Sequence, residues 1–94
     1  MIQNPIFSMP IFSIETIIKT ISEDPILFIA VPLEQRTKEV CLAAIKNVDF
    51  KKHDPNLVMQ NIAMQIPYKL INDKDIRKAL KHLDKIAPKD WKNG

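Results

Sequence analysis

Apolar residues recur along this chain in short runs of helical spacing, and most runs are closed by a proline. Ile14, Ile17, Ile18 and Ile21 fall at i, i+3, i+4 and i+7, the stripe of an amphipathic helix. Ser13 ahead of them is a suitable N-cap, and Glu15 suits the positive end of the helix dipole. Ser22 to Pro25 ends this helix and starts the next, with Asp24 as N-cap and Pro25 as first helical residue. The second helix, Ile26 to about Ala30, is apolar almost all round, which predicts the most buried piece of the fold. A strand over residues 26–31 is the alternative. Pro32 stops the segment.

Leu33 to Arg36 read as a polar turn, and Thr37 as the N-cap of a third helix. On that helix Val40, Ala44 and Val48 make one row, with Cys41 and Ile45 beside it. Asp49 to His53 form a loop that Phe50 pins to the core. Asp54-Pro55 repeats the start signal of residues 24–25. The fourth helix is expected to run to about Gln65, with Leu57, Val58, Ile62 and Ile66 inward and Met59 and Met64 widening the band. Pro67 ends it, and residues 68–72 form a second turn. Asp73 caps a fifth helix lined by Ile76, Ala79, Leu80, Leu83 and Ala87. Beyond Pro88, Trp91 folds back to seal the bottom of the core.

Residues 1–13 carry no such period. Pro5-Ile6-Phe7-Ser8 recurs as Pro10-Ile11-Phe12-Ser13, and two prolines so close together predict an extended apolar arm. The arm either lies across the domain's own groove or docks on another chain, a homodimer by arm exchange being one form. The chain of 94 residues is expected to make a single domain, with the arm over residues 1–13 and the helical body over residues 14–94.

Composition sharpens this all-α picture of about five short helices. The one glycine is Gly94, whereas there are seven prolines. That balance suits short helices joined by proline-started turns and argues against β-hairpins. It also excludes a glycine-rich phosphate cradle. The net charge is +3, and ten of the 14 Lys and Arg residues lie in residues 51–94. A single cysteine forms no intramolecular disulfide. The two histidines and Cys41 lack metal-ligand spacing, so no metal or cofactor is expected. No basic segment leads into an apolar run, and no apolar run approaches the ~18 residues of a membrane span, so the expected compartment is cytoplasmic.

Aligning Pro32 with Pro67 exposes an internal repeat. Val31-Pro32 matches Ile66-Pro67, and Ala43 matches Ala79. Thr37-Lys38-Glu39-Val40 matches Asp73-Lys74-Asp75-Ile76 one residue later in its turn. Each unit shows an apolar stripe that it cannot bury alone, the logic of stacked helical repeats. The stretch VPLEQRTKEVCLAAIKN, residues 31–47, resembles one unit junction of tandem helical repeats of unknown function in bacterial and prophage proteins. Those units read roughly Val/Ile-Pro, a few polar residues, Arg-Thr, an acidic residue, Val/Ile-Cys-Leu and Ala-Val/Ile-Lys. The match fades from Asp49 onward, and the later copy lacks Arg-Thr and Cys-Leu. The resemblance implies an all-α stacked fold with a binding role, and it brings no catalytic residues.

The strongest surface signal is on the fifth helix. At 100° per residue, Lys74, Arg77, Lys78, Lys81 and Lys85 fall within an arc of about 100°, opposite the apolar face. Lys51 and Lys52 add to it. Such a stripe is either an ordinary solvated face or a surface that meets an acidic protein or a phosphate backbone. A Cys-His nucleophile would require His53 or His82 to reach Cys41, which the helical pattern places on the core side. The expected function is a small non-enzymatic protein-binding module, an inhibitor or immunity-type factor of a phage or mobile element being the setting. Its candidate contacts are Lys74, Arg77, Lys78, Lys81, Lys85, Lys51, Lys52, Phe7 and Phe12. The alternative is an electrostatic nucleic-acid binder using the same helix.

Overall fold

The computed structural model describes residues 13–89 and 91. Phe7 and Phe12, and all of the expected arm except Ser13, lie outside the described residues. The described part is all-α, with four α-helices: α1 (Ile14–Glu23), α2 (Lys38–Lys46), α3 (Pro55–Asn61) and α4 (Lys74–Ile86). A six-residue 3-10 helix, Pro25–Ala30, takes the place of the expected second helix. One-turn 3-10 segments follow at Leu33–Gln35, Ala63–Gln65 and Tyr68–Leu70. The strand alternative for residues 26–31 does not form.

The caps follow from local chemistry. Ser13 Oγ accepts from Thr16 N, Thr37 Oγ1 from Val40 N, and Asp73 Oδ1 from Asp75 N and Ile76 N. Each satisfies amides that a helix start leaves without intrahelical partners. Asp24 and Asp54 occupy the cap positions before Pro25 and Pro55 but make no side-chain capping bond. There the proline itself removes one orphan donor.

The segment 25–30 corrects the sequence expectation that it is the most buried piece. A 3-10 helix has three residues per turn, so one face collects every third residue. Pro25, Phe28 and Val31 make that face and are buried, Phe28 completely. Leu27 is 41% exposed and Ile29 45%. The fourth helix is corrected as well. It stops at Asn61, Ile62 leaves helical geometry at φ −123°, ψ −67°, and a single 3-10 turn carries the chain to Ile66. Pro67 demands an extended residue before it, and Ile66 takes φ −67°, ψ 130°. Val58, Ile62 and Ile66 are buried as expected, whereas Leu57 and Met64 are exposed at 43% and 67%. Tightening the helix end swings Met64 outward, and Leu57 sits two residues after its proline just as exposed Leu27 does.

That coincidence extends through the whole repeat. Pro32 and Pro67 share their backbone geometry, φ −56°, ψ 143° and φ −57°, ψ 139°. Each accepts the same hydrogen bond at 2.8 Å, from Gln35 N and from Leu70 N. The next bond also recurs, from Arg36 N to Leu33 O and from Ile71 N to Tyr68 O. Phe28 and Val58, each three residues after the starting proline, are fully buried, and so are Val40 and Ile76, each three after the cap.

The repeated units stack. α2 packs between α1 and α4, while the 25–30 helix packs against α3 and also touches α1 and α2. Lys38, the first residue of α2, reaches the start of α4 through Asp75 at 2.7 Å and Asp73 at 3.3 Å. At the other end Lys46 and His82 line one groove. The two helices therefore run side by side in the same direction, as equivalent helices of successive repeats do. The clasp is partly exposed. Its hydrogen bonds to Asp75 and Asp73 raise the Lys38 pKa, and the amide of Ile76, with Lys38 behind it, lowers that of Asp73.

One core joins the layers, from Ile17 and Ile21 through Phe28, Val40, Ala44, Val58 and Ile62 to Ile76 and Leu83. Trp91 seals its end as expected. Its ring meets Phe50 edge-on at 5.7 Å, and its Nε1 donates to Asp84 Oδ1 at 3.1 Å.

Candidate protein-binding face on the last helix

α4 places its residues as the periodicity predicts. Ile76, Ala79 and Leu83 are buried against α2 and the core, with Leu80 and Ala87 half-buried at the margin. Lys74, Arg77, Lys78, Lys81 and Lys85 are all exposed. Among the described residues, no ion pair engages any of the five. Lys51 and Lys52 are exposed on the 49–53 loop. Lys51 shares a small hollow with Phe50 and Ile86, which sets it at the C-terminal end of the stripe.

That loop is held by its own hydrogen bonds and contains no glycine. Asp49 Oδ1 accepts from Lys51 N, while Asp49 O accepts from Lys52 N and His53 N. Asp49 N in turn donates to His53 Nδ1 at 2.9 Å. His53 is thereby engaged in holding its own loop.

Two grooves flank α4. One is lined by Ile71, Asn72, Lys74, Arg77, Lys78, Leu80, Lys81 and Asp84. The other lies between α2 and α4, lined by Leu42, Ile45, Lys46, Asp75, Lys78, Ala79 and His82. Lys78 stands on the crest between them. A third depression joins the two proline turns at Leu33, Glu34, Pro67, Tyr68 and Lys69. Leu33 and Tyr68, each the residue after its repeat's proline, are 63% and 91% exposed there.

Sequence reasoning missed Arg36, which it placed in a polar turn. Its guanidinium holds the two proline turns together. Nε donates to Val31 O at 2.8 Å, Nη2 to Ile29 O at 3.1 Å, and Nη1 to Gln65 O at 3.0 Å and Gln65 Oε1 at 3.3 Å. The guanidinium carbon sits 5.4 Å from the centre of the Phe28 ring, a cation–π arrangement. Burial lowers the Arg36 pKa, with the neighbouring Cys41 acting in the opposite sense. The one signal in the sequence was the Arg-Thr pair of the resembling repeat unit.

Cys41 is fully buried, and its Sγ donates to Arg36 O at 3.8 Å. Burial pushes its thiol up to about 11, so it stays protonated at neutral pH and is a poor nucleophile. Two results follow. A disulfide reagent should label Cys41 only as fast as the protein opens, with full labelling in urea. The unfolded thiol ionises first, so the Cys41 contribution to stability is complete below pH 9.0, its ordinary value, and is lost as pH rises through about 11. Urea midpoints across that window should fall more steeply for the wild type than for Cys41→Ala.

Among the described residues, no group of three or more His, Cys, Asp or Glu is placed to hold a metal ion. No helix among them is long and apolar enough to cross a membrane. The fold defines an all-α protein of stacked helix-turn-helix units. Comparison with protein-family models, curated proteins and solved structures gives no match.

Proposed function

We propose that this chain is a small non-enzymatic helical module that binds another protein, with the basic face of α4 meeting an acidic surface. One observation carries this reading: five cations project from one helix, all exposed, with no ion pair to any of them among the described residues. The opposite side of the same helix is fixed in the core, so the charges are presented on a firm support. Exposed cations with no internal partner contribute little to the fold and are available to complement a negative patch. The small size and the resemblance of residues 31–47 to prophage helical repeats favour an inhibitor or immunity-type factor of a phage or mobile element as the setting.

A tagged chain passed through host lysate is expected to retain a partner at low salt and release it as salt rises. The double variant Lys78→Glu, Lys81→Glu should fold normally and retain nothing. Equal capture by the variant would remove α4 from the interface and with it this reading. A second reading, electrostatic binding of nucleic acid, draws on Lys51 extending the stripe beyond the end of α4. It requires a mobility shift with DNA or RNA that vanishes as salt is raised.

A further inference from the structure

We infer that the groove along Ile71 and Leu80, and not the one between α2 and α4, is the docking site, and that its occupant is an acidic amphipathic helix of the partner protein. This inference rests on the protein-binding reading above and names the chemistry of the partner. The two grooves differ in charge. The Ile71–Leu80 groove carries Lys74, Arg77, Lys78 and Lys81 against the single carboxylate of Asp84, which is tied at Oδ1 by Trp91 Nε1. The α2–α4 groove has Lys46 and the shared Lys78, with Asp75 already bound to Lys38. Charge complementarity therefore selects the first groove for an acidic ligand.

Its floor selects the class of ligand. Ile71 and Leu80 are half-buried apolar side chains between the cations. A sugar-phosphate backbone has little apolar surface to lay on them, whereas an amphipathic helix presents apolar anchors beside its charges. The spacing suits a helix too. Lys74, Arg77 and Lys81 stand at i, i+3 and i+7, which spans about 10 Å along α4. Glutamates at the same intervals on a facing helix meet them, with a leucine between reaching Ile71 and Leu80.

The test uses a labelled peptide of about 18 residues, with glutamates at i, i+3 and i+7 around central leucines, followed by fluorescence anisotropy. The comparison ligands are the same peptide with its leucines replaced by alanine, which keeps charge and helicity, and a DNA duplex of similar length. The leucine peptide should bind about tenfold more tightly than the alanine one. Arg77→Glu and Lys81→Glu, both at exposed positions, should weaken it by a further factor of about ten or more. Lys46→Glu, in the other groove, should leave it unchanged.

Equal binding of the two peptides, with both weakened by Lys81→Glu, overturns the groove while the acidic-partner reading stands. An equal effect of Lys46→Glu moves the ligand to the other groove and overturns the inference alone. Failure of both peptides to bind at low salt, or tighter binding of the duplex, overturns the inference and the protein-binding reading together.

Discussion

Phe28→Ala is expected to destabilise the fold by about 3–5 kcal/mol, the range for truncating a buried aromatic ring. Small domains have only about 5–15 kcal/mol in total, so the loss is a large fraction of what holds the chain folded. Phe28 is fully buried and belongs to the single core that joins both layers. It also lies on the inward face of a 3-10 helix, with Pro25 and Val31 buried beside it. No neighbour on this segment can move in, because the next residue, Ile29, faces outward and Val31, three further on, is already buried. Urea unfolding followed by circular dichroism measures the loss. Leu27→Ala and Ile29→Ala provide the contrast. Their side chains are already partly in water, and each should cost less than about 1.5 kcal/mol. Comparable losses at all three positions would mean that residues 25–30 pack as an α-helix buried all round.

The second large effect is at Arg36. Arg36→Met keeps most of the apolar stem over Phe28 but removes every donor, leaving the carbonyls of Ile29, Val31 and Gln65 without that partner. Charged hydrogen bonds contribute about 1.5–3 kcal/mol each where buried. The bond to Ile29 is exposed, and water replaces it at little cost. The expected loss is about 2–4 kcal/mol. Arg36→Lys should recover less than half, because one ammonium cannot reach carbonyls spread around the edge of the planar guanidinium. The Phe28→Ala and Arg36→Met losses should also fail to add, since the ring and the guanidinium touch. Full recovery by lysine would show that charge alone matters and would remove the clamp role.

Arg36 also marks the boundary of sequence reasoning. Its neighbours in the chain made it a turn residue. Its role depends on Gln65, 29 positions away, and on three carbonyls whose directions are set by two proline turns. No periodicity encodes that. The clasp of Lys38 with Asp73 and Asp75 is of the same kind: each residue was legible as part of a helix start, and only the parallel packing of α2 and α4 joins them. The candidate site divides similarly. The five cations of α4 were evident from spacing, because a helix fixes its own angular positions. The apolar floor was not, since Ile71 comes from the preceding turn and meets Leu80 only in the folded chain.

The sequence by itself determined where the helices begin, where α1 and α4 stop, and which side of α1, α2 and α4 turns inward. These properties are local: a hydroxyl or carboxylate caps amides three residues away, a proline extends the residue before it, and apolar spacing sets one face. The repeat of Val31-Pro32 in Ile66-Pro67 was legible for the same reason, and the folded backbone reproduces it. Tertiary structure decided the rest. Residues 25–30 are apolar on every side, so composition could not select the inward face, and the 3-10 winding did so by bringing Pro25, Phe28 and Val31 together. The fourth helix had a long enough apolar pattern to continue, yet it ends at Asn61. Beyond Ile62, the turn before Pro67 has to bury Ile66 and present the Gln65 carbonyl to Arg36, and a straight α-helix does not meet both demands.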